Sequence, residues 1–337
     1  MRSTASQRMA TTSAQYGIWM GQQMVPESPC YLTAEVIELR GILDLQALRD
    51  SVVEVLNNCQ TLHMRFQMTE EGLWQWPQPV SDTPPPLHDL RQAVDPEAAA
   101  RQWIQQSLSV LCDPTRDPLY RAVVLQLADD RHWWYLQVHH IALDGYGYSL
   151  VCQAVATRYS LRVRGEPLPV LPDWTLDKVV QAEQTYKANG KFQKDQDFWG
   201  QHLHRAPLPA VVDAAQEFSD DIARHSTRLS QASIDQLQQA AQRCGQDWGS
   251  WMLAAIGLWL AKHSGQRQLT FGLPVMNRLG TPALGVPCMA MNIVPMSVHV
   301  DPEADMQSMG KQLADRMRCI RPHLYYRYGW KIGRAHV

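Results

Sequence analysis

The stretch QVHHIALDGYGYS (137–149) sets two adjacent histidines, His139 and His140, three residues ahead of Asp144 and Gly145. Three readings fit such a cluster. A neutral imidazole, with a reference pKa of about 6.5, accepts a proton readily at neutral pH. A carboxylate a few residues on can orient that ring or brace the loop that carries it. A metal site is the second reading, but successive side chains on a strand point to opposite faces, so both rings reach one ion only if the chain turns there. No third Cys, His or Asp stands at a recognised zinc spacing, so no metal is expected. The third reading has the pair ending a strand, held by local hydrogen bonds. Asp-Gly favours a turn, which lets IALDG curl back and bring Asp144 near either ring. No Walker or dinucleotide loop, GxSxG elbow or HExxH pair competes for the chemistry.

The elements around the cluster follow from periodicity. RAVVLQLADDRHWWYLQV predicts a hairpin turning at Asp129-Asp130 and delivering the histidines at its end. YSLVCQAVATRYSLRV after it has helical spacing. The Trp133-Trp134 pair belongs to the core and the hairpin face and forms no aryl-acid pocket on this reading. Upstream, LQALRDSVVEVLN (45–57) is helical through Leu45, Leu48, Val52, Val55 and Leu56, and TLHMRFQM alternates as a strand. WPQPVSDTPPP (76–86) is a proline-rich connection that cannot continue a sheet interior. AAARQWIQQSLSVL is helical.

RGEPLPVLPDW (164–174) is the predicted lobe boundary. Beyond it lie a polar helix around 181–199, an irregular stretch to about 219, and a helix striped by Ile234, Leu237, Ala240, Ala241 and Cys244. WGSWMLAAIGLWLAKHSG reads as a buried helix, and QLTFGLPVMNRLG and NIVPMSVHV read as strands, with Pro295 favouring an edge or bulge. Helices and strands mix in both halves, which predicts an α/β chain of two lobes.

Composition excludes several classes. The chain has 337 residues, long enough for two lobes, with 45% hydrophobic and 19% charged residues. A net charge of -2 and the absence of any run of five Lys/Arg give no reason to expect nucleic acid or an anionic membrane as partner. The apolar run WMLAAIGLWLA is too short to span a bilayer. Seven scattered cysteines without a CxxC pair point to free thiols in a reducing, cytoplasmic setting. Residues 1–12 lack the apolar core of a secretory signal and are expected to be a flexible leader, with Met9 an alternative start.

HHIALDG matches the HHxxxDG signature of condensation domains of nonribosomal peptide synthetases, within the chloramphenicol-acetyltransferase-like superfamily. SAQYGIWMGQQ (13–23) resembles the family's SxAQxxxW motif. TLHMRF (61–66) resembles the end of HExLRxxF, departing from it at Gln60 and His63. FGLPVMNRLG (271–280) resembles the strand ending in an arginine, here Arg278, and VPCMAMNIVPM (286–296) the motif carrying Asn292. The variants GIWM, LHMRF, NRLG and MNIVPM are most similar to the first condensation domains of enterobactin- and bacillibactin-type siderophore synthetases.

The resemblance implies two similar lobes in a V-shaped pseudo-dimer with a tunnel between them, residues 13–170 forming the N-terminal lobe and 171–330 the C-terminal lobe. It implies amide formation between a carrier-bound acyl, possibly aryl, thioester and the amine of a carrier-bound aminoacyl thioester. The partners would be a donor acyl or aryl carrier protein, an acceptor peptidyl carrier protein and an adjacent adenylation domain. No cofactor would bind directly, the substrates riding on 4'-phosphopantetheine. His140 would face the tunnel as base or amine-orienting acceptor, and His139 would pack or hydrogen-bond at the strand end. Asp144 would be a brace paired with Arg278. Gly145 would allow close substrate approach and offer its N–H to an oxyanion, or be a turn glycine. Ser149 would contact substrate or cap the helix, and Asn292 would hold the tunnel or a strand. An ester-forming or coenzyme A-dependent acyltransferase and a silent docking module remain alternatives; cyclising relatives carry DxxxxD, which is absent here. The family's final motif is missing and the closing KIGRAHV (331–337) reads as translated sequencing adapter, so a truncated second lobe is expected.

Overall fold

The structure, a computed structural model, describes residues 8–204, 226–301 and 305–327. It falls into two compact units, Met1–Tyr186 with Arg278–Met291, and Lys187–Asn277 with Asn292–Val337. Each mixes helices and strands. The irregular stretch expected to reach about 219 lies mostly outside the described residues, as do the seven terminal residues 331–337.

The first unit opens with β1 (Met9–Ala10), which pairs antiparallel with β4 (Gly72–Pro77); β4 in turn pairs with β3 (Met64–Thr69). Residues 9–12 are therefore tied to the first unit, unlike the flexible leader expected over 1–12, of which 1–7 lie outside the described residues. Thr12 then starts α1 (Ser13–Met24) with a capping box shared with Gln15. TLHMRF is not one continuous strand. A 3-10 turn (Gln60–His63) carries the buried Thr61, Leu62 and His63 before β3 begins.

The main sheet runs β2 (Leu32–Arg40), β7 (Arg131–His139), β6 (Tyr120–Ala128), β5 (Leu87–Asp89), antiparallel except for the short parallel β5–β6 pairing. Period-two alternation sends Trp133 to one face, among Val123, Leu125 and Tyr135, and Trp134 to the other. α2 (Leu45–Asn58), capped by Asp44, and α4 (Gly145–Val163) cover the Trp134 face, with Val52, Val55, Val151 and Val155 fully or almost fully buried. α3 (Pro96–Leu108) covers the Trp133 face, where Trp103 meets Tyr135 edge-on.

The chain leaves this unit later than the prolines of 164–174 suggest. Trp174, Leu176, Val179 and Val180 are core residues of the first unit. On α5 (Asp177–Ala188), the buried Glu183 accepts the Ser13 backbone N–H at 2.9 Å and its hydroxyl at 2.5 Å, holding the start of α1. The polar helix expected over 181–199 is two helices, α5 and α6 (Gly190–His204), separated at Asn189.

In the second unit, β8 (Gln268–Val275) and β9 (Asn292–His299) form a two-stranded ladder, so among the described residues Pro295 sits on a strand with a free edge. Leu269, Val294, Met296 and Val298 pack with Ala254 of α8 (Trp248–Ser264) and Met309 and Leu313 of α9 (Met306–Ile320). α7 (Gln231–Arg243) precedes them. α8 is not the buried helix its composition predicts: Ala254 and Gly257 are buried, whereas Trp259 is 51% and Ile256 44% exposed. The small residues sit deepest on its packing face, Gly257 against Val298 and Met309, with Leu253, Leu258 and Leu260 only partly buried around them. The seven cysteines are all free thiols, and no described helix is long and apolar enough to cross a membrane.

Candidate active site

β7 ends at His139, and the chain turns there. His139 N–H donates to Leu119 O at 2.8 Å and His140 N–H to Tyr31 O at 2.7 Å, anchoring the turn to the residues just before β6 and β2. The two rings part company. His139 is 1% exposed; its Nδ1 accepts the Ile141 N–H at 3.2 Å, and its Nε2 meets no hydrogen-bond partner among the described residues. Burial, helped by the neighbouring His140, pushes the His139 imidazole down to about 4, so it is neutral at physiological pH.

The His140 ring is only partly buried, and its Nδ1 lies 2.7 Å from Leu143 O. A carbonyl only accepts, so Nδ1 carries the proton and donates. Nε2 then presents a lone pair, and it has no partner among the described residues. The IALDG segment does curl back, but the group it brings to the ring is the Leu143 carbonyl, not the Asp144 carboxylate.

Asp144 is the N-cap of α4 and is 2% exposed. Its Oδ1 accepts from Gly147 N–H at 2.9 Å and Arg278 Nη2 at 2.7 Å; its Oδ2 accepts from Ala290 N–H at 3.0 Å and Met291 N–H at 2.8 Å. Arg278 is fully buried. Its guanidinium also donates to the carbonyls of Ala283, Val286 (2.9 Å) and Cys288 (2.6 Å), and lies 4.8 Å from the Tyr146 ring centroid. A buried charge pair leans on further hydrogen bonds, and backbone groups of 283–291 meet most of that need here, leaving Arg278 Nε without a hydrogen-bond partner among the described residues. This explains why 278–291 belongs to the first unit although both flanking strands belong to the second.

Gly145 opens α4 and is exposed; a Cβ placed on it would meet nothing within 4 Å. The local fold thus does not require glycine there, and the space a side chain would take is open. Gly147 is the sterically tight one: a Cβ would come within 3.1 Å of Leu143 Cδ2 and 3.2 Å of Cys288 O. Ser149 is exposed and donates to Tyr146 O at 2.7 Å, so it bonds back within the helix, and the capping role falls to Asp144. Asn292 lies in the second unit, where its Nδ2 donates to Leu324 O (2.8 Å) and Tyr326 O (2.9 Å), tying β9 to that segment. The structure therefore gathers His139, His140, Asp144, Gly145, Ser149 and Arg278 in one unit and gives Asn292 a tethering position in the other. Among the described residues no group of three or more His, Cys, Asp or Glu side chains is placed to hold a metal ion.

Several contributors carried no signal in the motif. Thr61 Oγ1 donates to Pro287 O at 3.0 Å, linking the TLHMRF segment to the belt around Arg278. The carbonyls of Tyr31 and Leu143 act through the backbone, which any residue type supplies.

The family model for the condensation domain matches residues 5–335. The chain belongs to the condensation domain family. It is 30% identical over 329 residues to the dimodular nonribosomal peptide synthase of Bacillus subtilis (strain 168), covering 97% of this chain and 14% of that protein. It is likewise 30% identical over 330 residues to enterobactin synthase component F of Escherichia coli (strain K12), covering 95% and 25%. This condensation domain thus spans a quarter or less of the length of these curated relatives. Among solved structures it superposes on the first condensation domain of the calcium-dependent antibiotic synthetase, bound to a substrate analogue, with a TM-score of 0.90 and 26% identity, covering 98% of this chain and 78% of that one. A variant of the starter condensation domain of rhizomide synthetase in complex with C8-CoA gives a TM-score of 0.89, 26% identity, and coverage of 98% and 75%. The mixed α/β architecture is that of the condensation domain fold.

Proposed function

We propose that this condensation domain joins an acyl thioester on a donor carrier protein to the amine of an aminoacyl thioester on an acceptor carrier protein. The observation that carries the reading is the fixed tautomer of His140: Nδ1–H is committed to Leu143 O, which leaves the Nε2 lone pair to the substrate. The amine lone pair attacks the thioester carbonyl, and Nε2 orients the amine and takes its proton. Oxyanion charge develops on the carbonyl oxygen, and the Gly145 N–H, first in α4 and favoured by the helix dipole, is the donor assigned to it. Collapse breaks the carbon–sulfur bond, the leaving phosphopantetheine sulfur takes the proton that Nε2 removed and departs as the thiol, and the amide remains on the acceptor arm. Asp144 and Arg278 do not touch the reacting atoms on this reading; they hold the loop that aims His140.

The similarity to enterobactin synthase component F supports a siderophore assembly line, with an aryl donor and an adjacent adenylation domain in a cytoplasmic synthetase. A second reading, an acyl donor carried by coenzyme A, is favoured by the C8-CoA complex of the rhizomide relative. One experiment separates them. The chain is mixed with an aminoacyl-loaded acceptor carrier and either acyl-loaded donor carrier or the same acyl group on coenzyme A, and the acceptor is read by mass spectrometry. Amide formed from the carrier-bound donor supports the first reading. Amide from the coenzyme A donor alone supports the second, and no acyl transfer from either refutes both.

A further inference from the structure

A cavity of about 570 Å³ opens in the first unit, away from the histidine loop; none of residues 139–149 lines it. Its origin is legible in the chain. β5 is only three residues long, so it pairs with β6 at 124–126 and, among the described residues, leaves Tyr120–Val123 of β6 without a ladder partner on that edge. The chain that runs alongside is the proline arm Pro84–Pro86. Prolines have no N–H to donate and cannot zip onto the open edge. Pro86 O accepts the Val124 N–H at 2.9 Å, and the ladder goes no further. A gap is left between the arm, α2 and β6.

The lining has a consistent chemistry. His63 and Tyr120 meet edge to face at 5.4 Å, and His88 and Trp103 do the same at 5.1 Å, so flat ring surfaces border the gap. Two guanidinium groups line it, Arg65 and Arg121, and among the described residues no Asp or Glu does. Arg65 is steadied by its bond to Asp117 O at 2.5 Å, and Arg121 by its bond to Ser107 Oγ at 3.2 Å. Asp113 offsets part of the Arg65 charge from outside the lining. Arg121, bonded to a neutral hydroxyl, keeps most of its capacity for an anion. A pocket of this size, with apolar and aromatic walls and a few oriented polar groups, has the make-up of a small-molecule site.

We propose that this cavity is a second ligand site, separate from the His140 loop, that takes a planar aromatic carboxylate. The ring system lies at the open β6 edge against Trp103 and the proline arm, and the carboxylate pairs with Arg121, which shares the Trp103 face of the sheet, and with Arg65. A guanidinium meets a carboxylate bidentately, which distinguishes the acid from a neutral isostere.

The probe is 2-naphthoate, with 2-naphthamide as the uncharged control, each titrated calorimetrically into the full chain. The expected result is one-to-one binding of the naphthoate, with the amide at least tenfold weaker. Arg121→Gln changes an exposed side chain and should weaken naphthoate at least tenfold. Thr83→Trp, an exposed loop position on the rim, should block it by filling the gap, which gives a second arm should either variant fold poorly. His140→Ala should leave naphthoate affinity within twofold of the parent. Absence of naphthoate binding up to millimolar concentration would overturn the proposal. So would equal affinity for naphthoate and naphthamide, or binding lost in His140→Ala while Arg121→Gln and Thr83→Trp retain it.

Discussion

Replacing Asp144 by asparagine tests the loop geometry with the loss of a single charge. All four partners of the carboxylate are donors: Gly147 N–H and Arg278 Nη2 on Oδ1, Ala290 N–H and Met291 N–H on Oδ2. An asparagine keeps one oxygen and substitutes an NH2 for the other. Whichever way the amide is turned, two donors face a donor. In either orientation the fully buried Arg278 guanidinium loses its counter-charge. With the NH2 toward Arg278 a donor also faces a donor there, and with the NH2 toward 290–291 the Ala290 and Met291 N–H groups lose their Asp144 acceptor. Each buried group left unsatisfied costs about 1–3 kcal/mol, and breaking a buried ion pair from one side about 3–5 kcal/mol. With about 2–4 °C lost per kcal/mol for a unit of this size, the melting temperature should fall by roughly 6–20 °C. Circular dichroism melts measure it. The double variant Asp144→Asn with Arg278→Gln removes the stranded charge, so it should melt higher than the sum of the two single changes predicts. An Asp144→Asn protein that melts within about 2 °C of the parent, less than one kcal/mol by the same conversion, would refute the bracing role. Strict additivity in the double variant would refute it too.

Gly145→Ala should leave the melt nearly unchanged, because the added Cβ meets only open space, yet slow condensation roughly 10²-fold by displacing substrate; unaltered turnover contradicts the assignment. Gly147→Ala should instead destabilise by about 1–3 kcal/mol, since its Cβ presses on Leu143 and the Cys288 backbone. His139 is protonated near 6.5 when unfolded and near about 4 when folded, so the unfolded state binds the extra proton between those values. Stability should therefore be intact above pH 6.5 and fall by roughly 3 kcal/mol as pH drops toward 4, a loss that urea midpoints at pH 7 and 5 follow and that His139→Asn should reduce. Asn292→Asp puts an acceptor against the Leu324 and Tyr326 carbonyls and should lower the melt of the second unit, whereas a change confined to activity would argue against a tether.

What the chain makes legible is periodic. The β6–β7 hairpin turned at Asp129-Asp130 as expected, and α2 kept its Leu48, Val52 and Val55 stripe, because alternation and 3.6-residue spacing report a face directly. α8 shows the limit of that logic. Its apolar run predicts burial, but small residues set the packing face and leave Trp259 exposed. The 164–174 prolines mark a connection, yet the side chains that follow return to the first core, which only tertiary packing decides. At the site, HHxxxDG isolates the histidines and the aspartate, while the resemblance alone links Asp144 with Arg278 across more than a hundred residues. The carbonyls of Leu143 and Tyr31, which orient and anchor His140, are invisible to residue identity. So is the cavity under the proline arm, which arises from hydrogen bonds that prolines cannot make.

The most direct test of the central claim is the single-turnover rate of amide formation by His140→Ala with both carrier proteins loaded. Loss of the Nε2 acceptor should lower that rate by about 10²–10⁴-fold, with the melting temperature close to that of the parent. A folded His140→Ala protein that forms amide at the parental rate would show that His140 does not carry the proton or position the amine.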